Sequence, residues 1–404
     1  MTLARIVTLY APDAMFFGFL LTVVPFQLRL EGGGAALSAA VSWIALPLGF
    51  AFFWAPFVDA RSLFGLGRRS GWASVCQVSA GLAFAVTALA FQLMPEHAGP
   101  MAALIPSLAA AFLFATRNIA LNAWIRESVP MSDMAIAVGV RCGGAAVGNV
   151  LGAGALAGRF DTVGWSGAFW VLAAATLLSA IALWRLPGQS LQPAAEETVG
   201  LTATISGMRD RPGVVRRALS VATLSAVMAP PATLGVVVFA DKGFTSEQLS
   251  YATGYAGAAA ATLGAFAGGK LAKVFGLRAM LVATAFSQGA LCLAWAAFAT
   301  SSAAGLYPIG LSLTATQYGL FAMMASLWLT AVIQIASRER AATELALLNA
   351  LLLLTGTFAP TLAGTFADLA GSVPLTLVAL AALASATAFL APAVVGRSQP
   401  AVLL

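Results

Sequence analysis

Three ionised side chains lie inside stretches that are otherwise almost wholly apolar. They are Asp13 in LYAPDAMFF, Arg117 in FLFATRNIALNAW and Arg141 in AVGVRCGGA. A charge at the centre of a membrane helix costs roughly 2.5–3.5 kcal/mol on an insertion scale. Such residues therefore face a bundle interior or an aqueous cavity and pair with something. Arginine stays protonated, and its planar donor fork matches carboxylate, phosphate or phenolate oxygens. Two guanidiniums and one carboxylate point to anion binding, with Arg117 and Arg141 as the clamp. Asp13 would be their salt-bridge partner and the candidate protonation switch. On a purely structural reading, Asp13 neutralises one arginine to brace the bundle while the other reaches water or backbone carbonyls.

The elements that must position these residues follow from composition. Of 404 residues, 60% are hydrophobic and 9% charged, against roughly 25% charged in soluble domains. Apolar runs of about 20 residues recur, the length of a helix crossing a hydrocarbon core. An all-α, polytopic membrane protein is expected. Its spans fall near 8–27, 39–58, 72–94, 102–124, 134–157, 165–185, 217–240, 247–269, 279–299, 306–334, 343–366 and 373–394. The sequence predicts twelve transmembrane helices in two six-helix halves, 1–186 and 217–404, joined by a cytoplasmic linker over 187–216. MTLARIV at the start lacks a cleavage-site pattern and reads as the beginning of the first span rather than a signal peptide.

Orientation comes from the basic residues. With both termini in the cytoplasm, sixteen Lys and Arg fall in inner segments and three, Arg29, Arg159 and Lys242, in outer loops. The excess of basic residues is thus a topology signal, with no nucleic-acid partner implied. Asp13 follows Arg5 by eight residues, Arg141 follows Asp133 by eight, and Arg117 precedes Arg126 by nine. At 1.5 Å per residue all three lie about 12–13 Å from the inner end of their helices. A common depth lets them meet.

The halves echo each other: Phe64-Gly65-Leu66 after the second span, Phe275-Gly276-Leu277 after the eighth. Repeats of this kind mark transporters that rock around a midplane site. Residues 54–72, WAPFVDARSLFGLGRRSGW, resemble the loop between the second and third helices of the AmpG-like branch of the major facilitator superfamily. That branch contains muropeptide permeases, acetyl-CoA transporters and RhtX/FptX siderophore permeases. The matching residues are Trp54, Ala55, Pro56, Asp59, Gly67, Arg68, Arg69 and Trp72, under 20 residues of the chain, while the twelve-span plan covers all of it. The resemblance implies a gating latch in which Asp59 caps a helix of the opposite half and Arg68 or Arg69 pairs with acids such as Glu127. On the plainer reading Arg68 and Arg69 only mark the inner face. Where the branch carries Ala-Thr-Gln-Asp-Ile and a further Asp, this chain has Ala115-Thr116-Arg117-Asn118-Ile119 and Asn122. That departure removes the acids through which proton coupling would be carried over, and the compact chain fits the siderophore-permease subgroup.

Other polar residues in spans are candidates for substrate contact or for interhelical hydrogen bonds: Asn118 and Asn122 one turn apart, Tyr10, the pair Tyr251 and Tyr255, Gln317 and Tyr318. The spacing places Asn118 away from Arg117. Pro230-Pro231 predicts a hinge in the seventh span. Gly144, Gly148 and Gly152 form a close-packing stripe. Cys76, Cys142 and Cys292 read as buried small apolar residues. His97 is a loop residue, no phosphate-cradling motif or metal-ligand spacing occurs, and neither enzyme chemistry, a metal nor a cofactor is indicated.

The expectation is a secondary active transporter in the bacterial inner membrane, monomeric by family default. It takes up a bulky anionic, siderophore-like solute by alternating access, as a symporter driven by protons. An exporter of an organic anion, a muropeptide or acyl-CoA-type carrier, and a non-transporting sensor that keeps the fold are the alternatives.

Overall fold

The computed structural model describes residues 3–64, 67–128, 134–184, 201–302, 305–335 and 341–390, and every regular element among them is helical. In chain order these are α1 (Leu3–Leu30), an interrupted run α2 (35–60), α3 (Arg68–Leu93), α4 (Pro100–Ser128) and α5. The last runs as α-helix over Met134–Asn149 and as π-helix over Val150–Leu156. Then come α6 (Phe160–Trp184), α7 (Leu201–Asp210), α8 (Val214–Ala226), α9 (Ala229–Asp241) and α10 (246–275). The set ends with α11 (Leu277–Thr300), α12 (Tyr307–Ile335), α13 (Ala341–Leu369) and α14 (Val373–Thr387).

Among the described residues, nine stretches are long and apolar enough to cross a bilayer by length and composition. Helices also cover the spans expected at 134–157, 247–269 and 306–334, which are not among the nine.

The chain divides into two compact units. The first comprises residues 1–33, 41–195 and 243–255, the second 34–40, 196–242 and 256–404. Each unit thus contains a short segment that comes, in sequence, from the other half of the chain. In the first unit α1, α3, α4 and α6 meet through a ladder of phenylalanines: Phe84 lies 5.2 Å from Phe16, 6.1 Å from Phe114 and 5.9 Å from Phe169, ring centre to ring centre. Lipid is as apolar as these rings, so their contribution is close packing rather than escape from water. In the second unit α8, α11, α12 and α13 pack through Leu224, Leu281, Leu327, Trp328 and Leu348.

Glycine sets how near α5 comes to α1. A Cβ on Gly144, Gly148 or Gly152 would overlap the α1 backbone at Val7, Ala11 and Met15 respectively. Between α8 and α9 the helix breaks at Val227 and Met228, with Pro230 and Pro231 in the first turn of α9. Prolines without an N–H are tolerated there because first-turn donors have no intrahelical partner anyway. The thiols are free, Cys76 and Cys292 buried but Cys142 exposed, which corrects the expectation of burial for all three. Cys142 follows Arg141 within α5, and both residues are exposed.

Candidate functional site

The first unit gathers its buried polar groups around Arg117. The residue is fully buried on α4. Its Nη1 donates to Oε1 of Gln77 on α3, and its Nη2 donates to Asn118 Oδ1 at 2.9 Å. Nη2 also stands 3.2 Å from Asp13 Oδ1 on α1. Asn118 closes the ring by donating from Nδ2 to Asp13 Oδ2 at 2.9 Å. The expectation that Asn118 turns away from Arg117 is therefore corrected. Neighbouring Cβ atoms diverge by about 100° on a helix, but a long guanidinium stem folds back across that angle.

Gln77 is held in turn. Its Nε2 donates to the Thr176 carbonyl at 3.0 Å and to Ser179 Oγ, both on α6. The amide orientation is thus fixed, its oxygen left to face Arg117. Tyr10, one turn before Asp13, donates its hydroxyl to Asn122 Oδ1 at 2.8 Å. Its ring lies between two cations, with Arg141 Cζ 5.0 Å and Arg117 Cζ 5.9 Å from the centroid. Phe114 adds a second ring 5.1 Å from Arg117. Cations over aromatic faces gain about 0.5–2 kcal/mol, more when desolvated.

Asp13, Arg117, Asn118, Asn122, Tyr10 and Arg141 thus form one cluster. Within it Asp13 and Arg117 neutralise each other, and Arg117 Nε is buried without a hydrogen-bond partner among the described residues. Arg141 is exposed. It is the cation of the cluster with open surface, whereas the Arg117 fork is already committed to protein oxygens.

The remaining candidates lie elsewhere. Tyr251 and Tyr255 lie 5.4 Å apart, ring centre to ring centre and tilted by 41°, in the π-helical stretch Tyr251–Ala256 of α10, both exposed. Tyr255 packs against Gly154, which is thirteen residues along α5 from Arg141, about 20 Å at 1.5 Å per residue. In the second unit Gln317 exchanges amide hydrogen bonds with Gln288 at 3.1 and 3.3 Å. It also donates to the Met228 carbonyl, at 3.1 Å, where α8 gives way to α9. Tyr318 next to it is half-buried.

Of the expected latch, Arg69 is described and buried; the side chains of Asp59, Arg68 and Glu127 lie outside those described. Around them Trp72 Nε1 donates to the Arg61 carbonyl at 2.8 Å and Trp54 Nε1 to Thr116 Oγ1 at 3.1 Å, so both indoles tie residues 54–72 to the bundle.

Sequence reasoning missed Gln77, Gln288 and Glu344. The signal for the first two was the repeat itself, since each amide stands eleven residues beyond the Leu of a Phe-Gly-Leu. Glu344, near the start of α13, is 1% exposed and ion-paired with Arg211.

Residues 6–360 match the sequence profile of the Major Facilitator Superfamily. Among characterised proteins, the anhydromuropeptide permeases of Escherichia coli K12 and O157:H7 are 28% identical over 139 residues, 34% of this chain and 28% of theirs. The match thus spans well under a third of either permease. Among solved structures, the nucleoside transporter NupG is similar with a TM-score of 0.74 at 13% identity, over 97% of this chain and 99% of that one. A bacterial homologue of the human lysosomal transporter Spinster, inward-facing and occupied, gives a TM-score of 0.70 at 16% identity over 96% of each chain. The chain belongs to the Major Facilitator Superfamily: it is a multi-pass membrane transporter with that fold and not an enzyme.

Proposed function

For a transporter of this superfamily, we propose secondary active uptake of a bulky organic anion through twelve membrane helices with both termini in the cytoplasm, across the bacterial inner membrane. The observation that carries the reading is the exposed Arg141 guanidinium stacked on Tyr10, beside a pair, Asp13 and Arg117, that has already cancelled its own charge. An uncompensated cation at membrane depth is costly, and an anionic solute supplies the missing charge. Protonation of Asp13 would free Arg117 and add a second positive centre, which would link proton entry to anion binding. A siderophore-like ferric chelate is one such bulky anion. The partial likeness to anhydromuropeptide permeases favours a second reading, a muropeptide, which also carries carboxylates. Export, or sensing without transport, would use the same contacts.

A thermal-shift screen of the purified protein against anionic metabolites, muropeptides and ferric chelates tests the reading. An anionic ligand should raise the melting temperature of the wild type. Arg141→Ala should abolish that rise and leave the unliganded melting temperature within about 2 °C, as for substitutions at open surface. Counterflow of the hit in proteoliposomes separates carrier from sensor, and its response to a pH gradient tests coupling. Undiminished ligand stabilisation in Arg141→Ala would overturn the assignment.

A further inference from the structure

The turn from α7 into α8 has one side sunk in the second unit and the other side open. Met208, Val214, Ala218 and Val221 are buried in the same apolar cluster as Leu281 and Leu348. Arg211, between the two helices, is ion-paired with the buried Glu344 of α13. The chain reverses at Gly213, whose φ of +78° is a left-handed conformation that a Cβ disfavours. An apolar anchor and an ionic one thus fix which face of each helix points outward.

That outward face joins apolar and basic side chains. Ile205 and Arg209 lie one turn apart on α7, Val215 and Leu219 one turn apart on α8, and all four are exposed. Arg216 is exposed as well, and Arg217 is half-buried. The charges are not equivalent. Arg211 is cancelled by Glu344, and Arg209 has Asp210 at 3.9 Å. Arg216 and Arg217 have no acid beside them among the described residues. They stand in the first turn of α8, which contains no acid, and cations there oppose the helix dipole. Helix stability therefore does not account for them. Val215 and Leu219 belong to the stretch Val214–Asp241, long and apolar enough to cross a bilayer. Two uncompensated guanidiniums thus lie at the end of a membrane-crossing stretch, the level at which phospholipid headgroups meet their acyl chains.

We infer that this face is a docking site for an anionic phospholipid. Arg216 and Arg217 supply the positive charge, and a guanidinium fork matches the oxygens of a phosphodiester. The acyl chains lie along Val215 and Leu219. A lipid held there ties α8 to its headgroup layer at the point where Arg211 and Met208 already tie α7 to the bundle. The inference goes beyond the proposed function and depends neither on the solute nor on the direction of transport.

Melting of the full chain in detergent micelles, with phosphatidylglycerol or phosphatidylcholine titrated in, tests it. A ligand that binds only the folded state raises the melting temperature, so phosphatidylglycerol should raise that of the wild type and phosphatidylcholine should not. The double variant Arg216→Gln/Arg217→Gln should need roughly thirtyfold more phosphatidylglycerol for the same rise, at about fivefold per arginine. Should the double variant fold poorly, Arg216→Gln alone should need about fivefold more. Lys273→Gln/Arg278→Gln removes two exposed charges where α10 gives way to α11, and it should keep the wild-type titration. An equal loss in that control overturns the inference, because the basic side as a whole would then attract the lipid. An equal response of the wild type to both lipids also overturns it. So does a dimer, seen by light scattering, that Arg216→Gln/Arg217→Gln abolishes, since the face would then belong to a second copy of the chain.

Discussion

Replacing Asp13 by asparagine keeps the shape of the cluster and deletes its only carboxylate. Arg117 would remain fully buried, with Gln77 and Asn118 as neutral partners. Removing one partner of a buried ion pair costs about 3–5 kcal/mol, because the other charge is left uncompensated. Asparagine can still bond Asn118, so the lower end, about 3 kcal/mol, is expected. At about 2–4 °C per kcal/mol for domains of 150–250 residues, the melting temperature should fall by roughly 6–12 °C. Asp13→Asn combined with Arg117→Gln removes both charges and places an amide opposite Gln77, as Gln317 stands opposite Gln288 in the second unit. The double variant should recover most of the loss, since replacing a buried pair by neutral groups is often close to neutral. Unfolding of the detergent-purified variants, followed by tryptophan fluorescence, measures both. If Asp13→Asn melts within 1–2 °C of the wild type, or the double variant melts no higher than the single, the pair is not what neutralises Arg117.

Gln317→Leu should destabilise by about 1–3 kcal/mol, because the Met228 carbonyl and the Gln288 amide lose their partner; combining it with Gln288→Leu should cost clearly less than the two single losses added, in the same melting assay. Gly152→Ala should cost at least about 1–3 kcal/mol by overpacking, since its methyl would overlap the Met15 carbonyl, whereas Gly356→Ala, with open space at its Cβ, should melt like the wild type.

The all-helical fold class was legible because hydropathy is a property of whole segments. Asp13 and Arg117 were legible too, as equal offsets from the inner ends of helices give equal depth. Side-chain reach was not. Arg117 curls onto its own neighbour Asn118, which a projection of Cβ directions forbids. Gln77 was invisible for a different reason: a single amide in a 26-residue helix looks like any tolerated polar residue until the repeat is aligned on Phe-Gly-Leu. The pairing of Glu344 with Arg211 joins residues 133 positions apart, a separation that no local pattern encodes. The π-helical turns of α5 and α10 leave no periodic mark, because glycines at four-residue spacing read the same in either helix type.

Those π-helical turns bear on how such helices could move in lipid. A π turn stores one residue beyond the α-helical count while its backbone N–H groups stay bonded inside their own helix, close to the condition a bilayer imposes. Shifting the surplus residue by one position along the helix turns the residue it passes by about 100° and leaves the segments on either side in place. At 150–156 and 251–256 the chain keeps that slack where Gly154 and Gly254 touch, so a swivel there would turn Tyr255 without pulling either helix through the membrane.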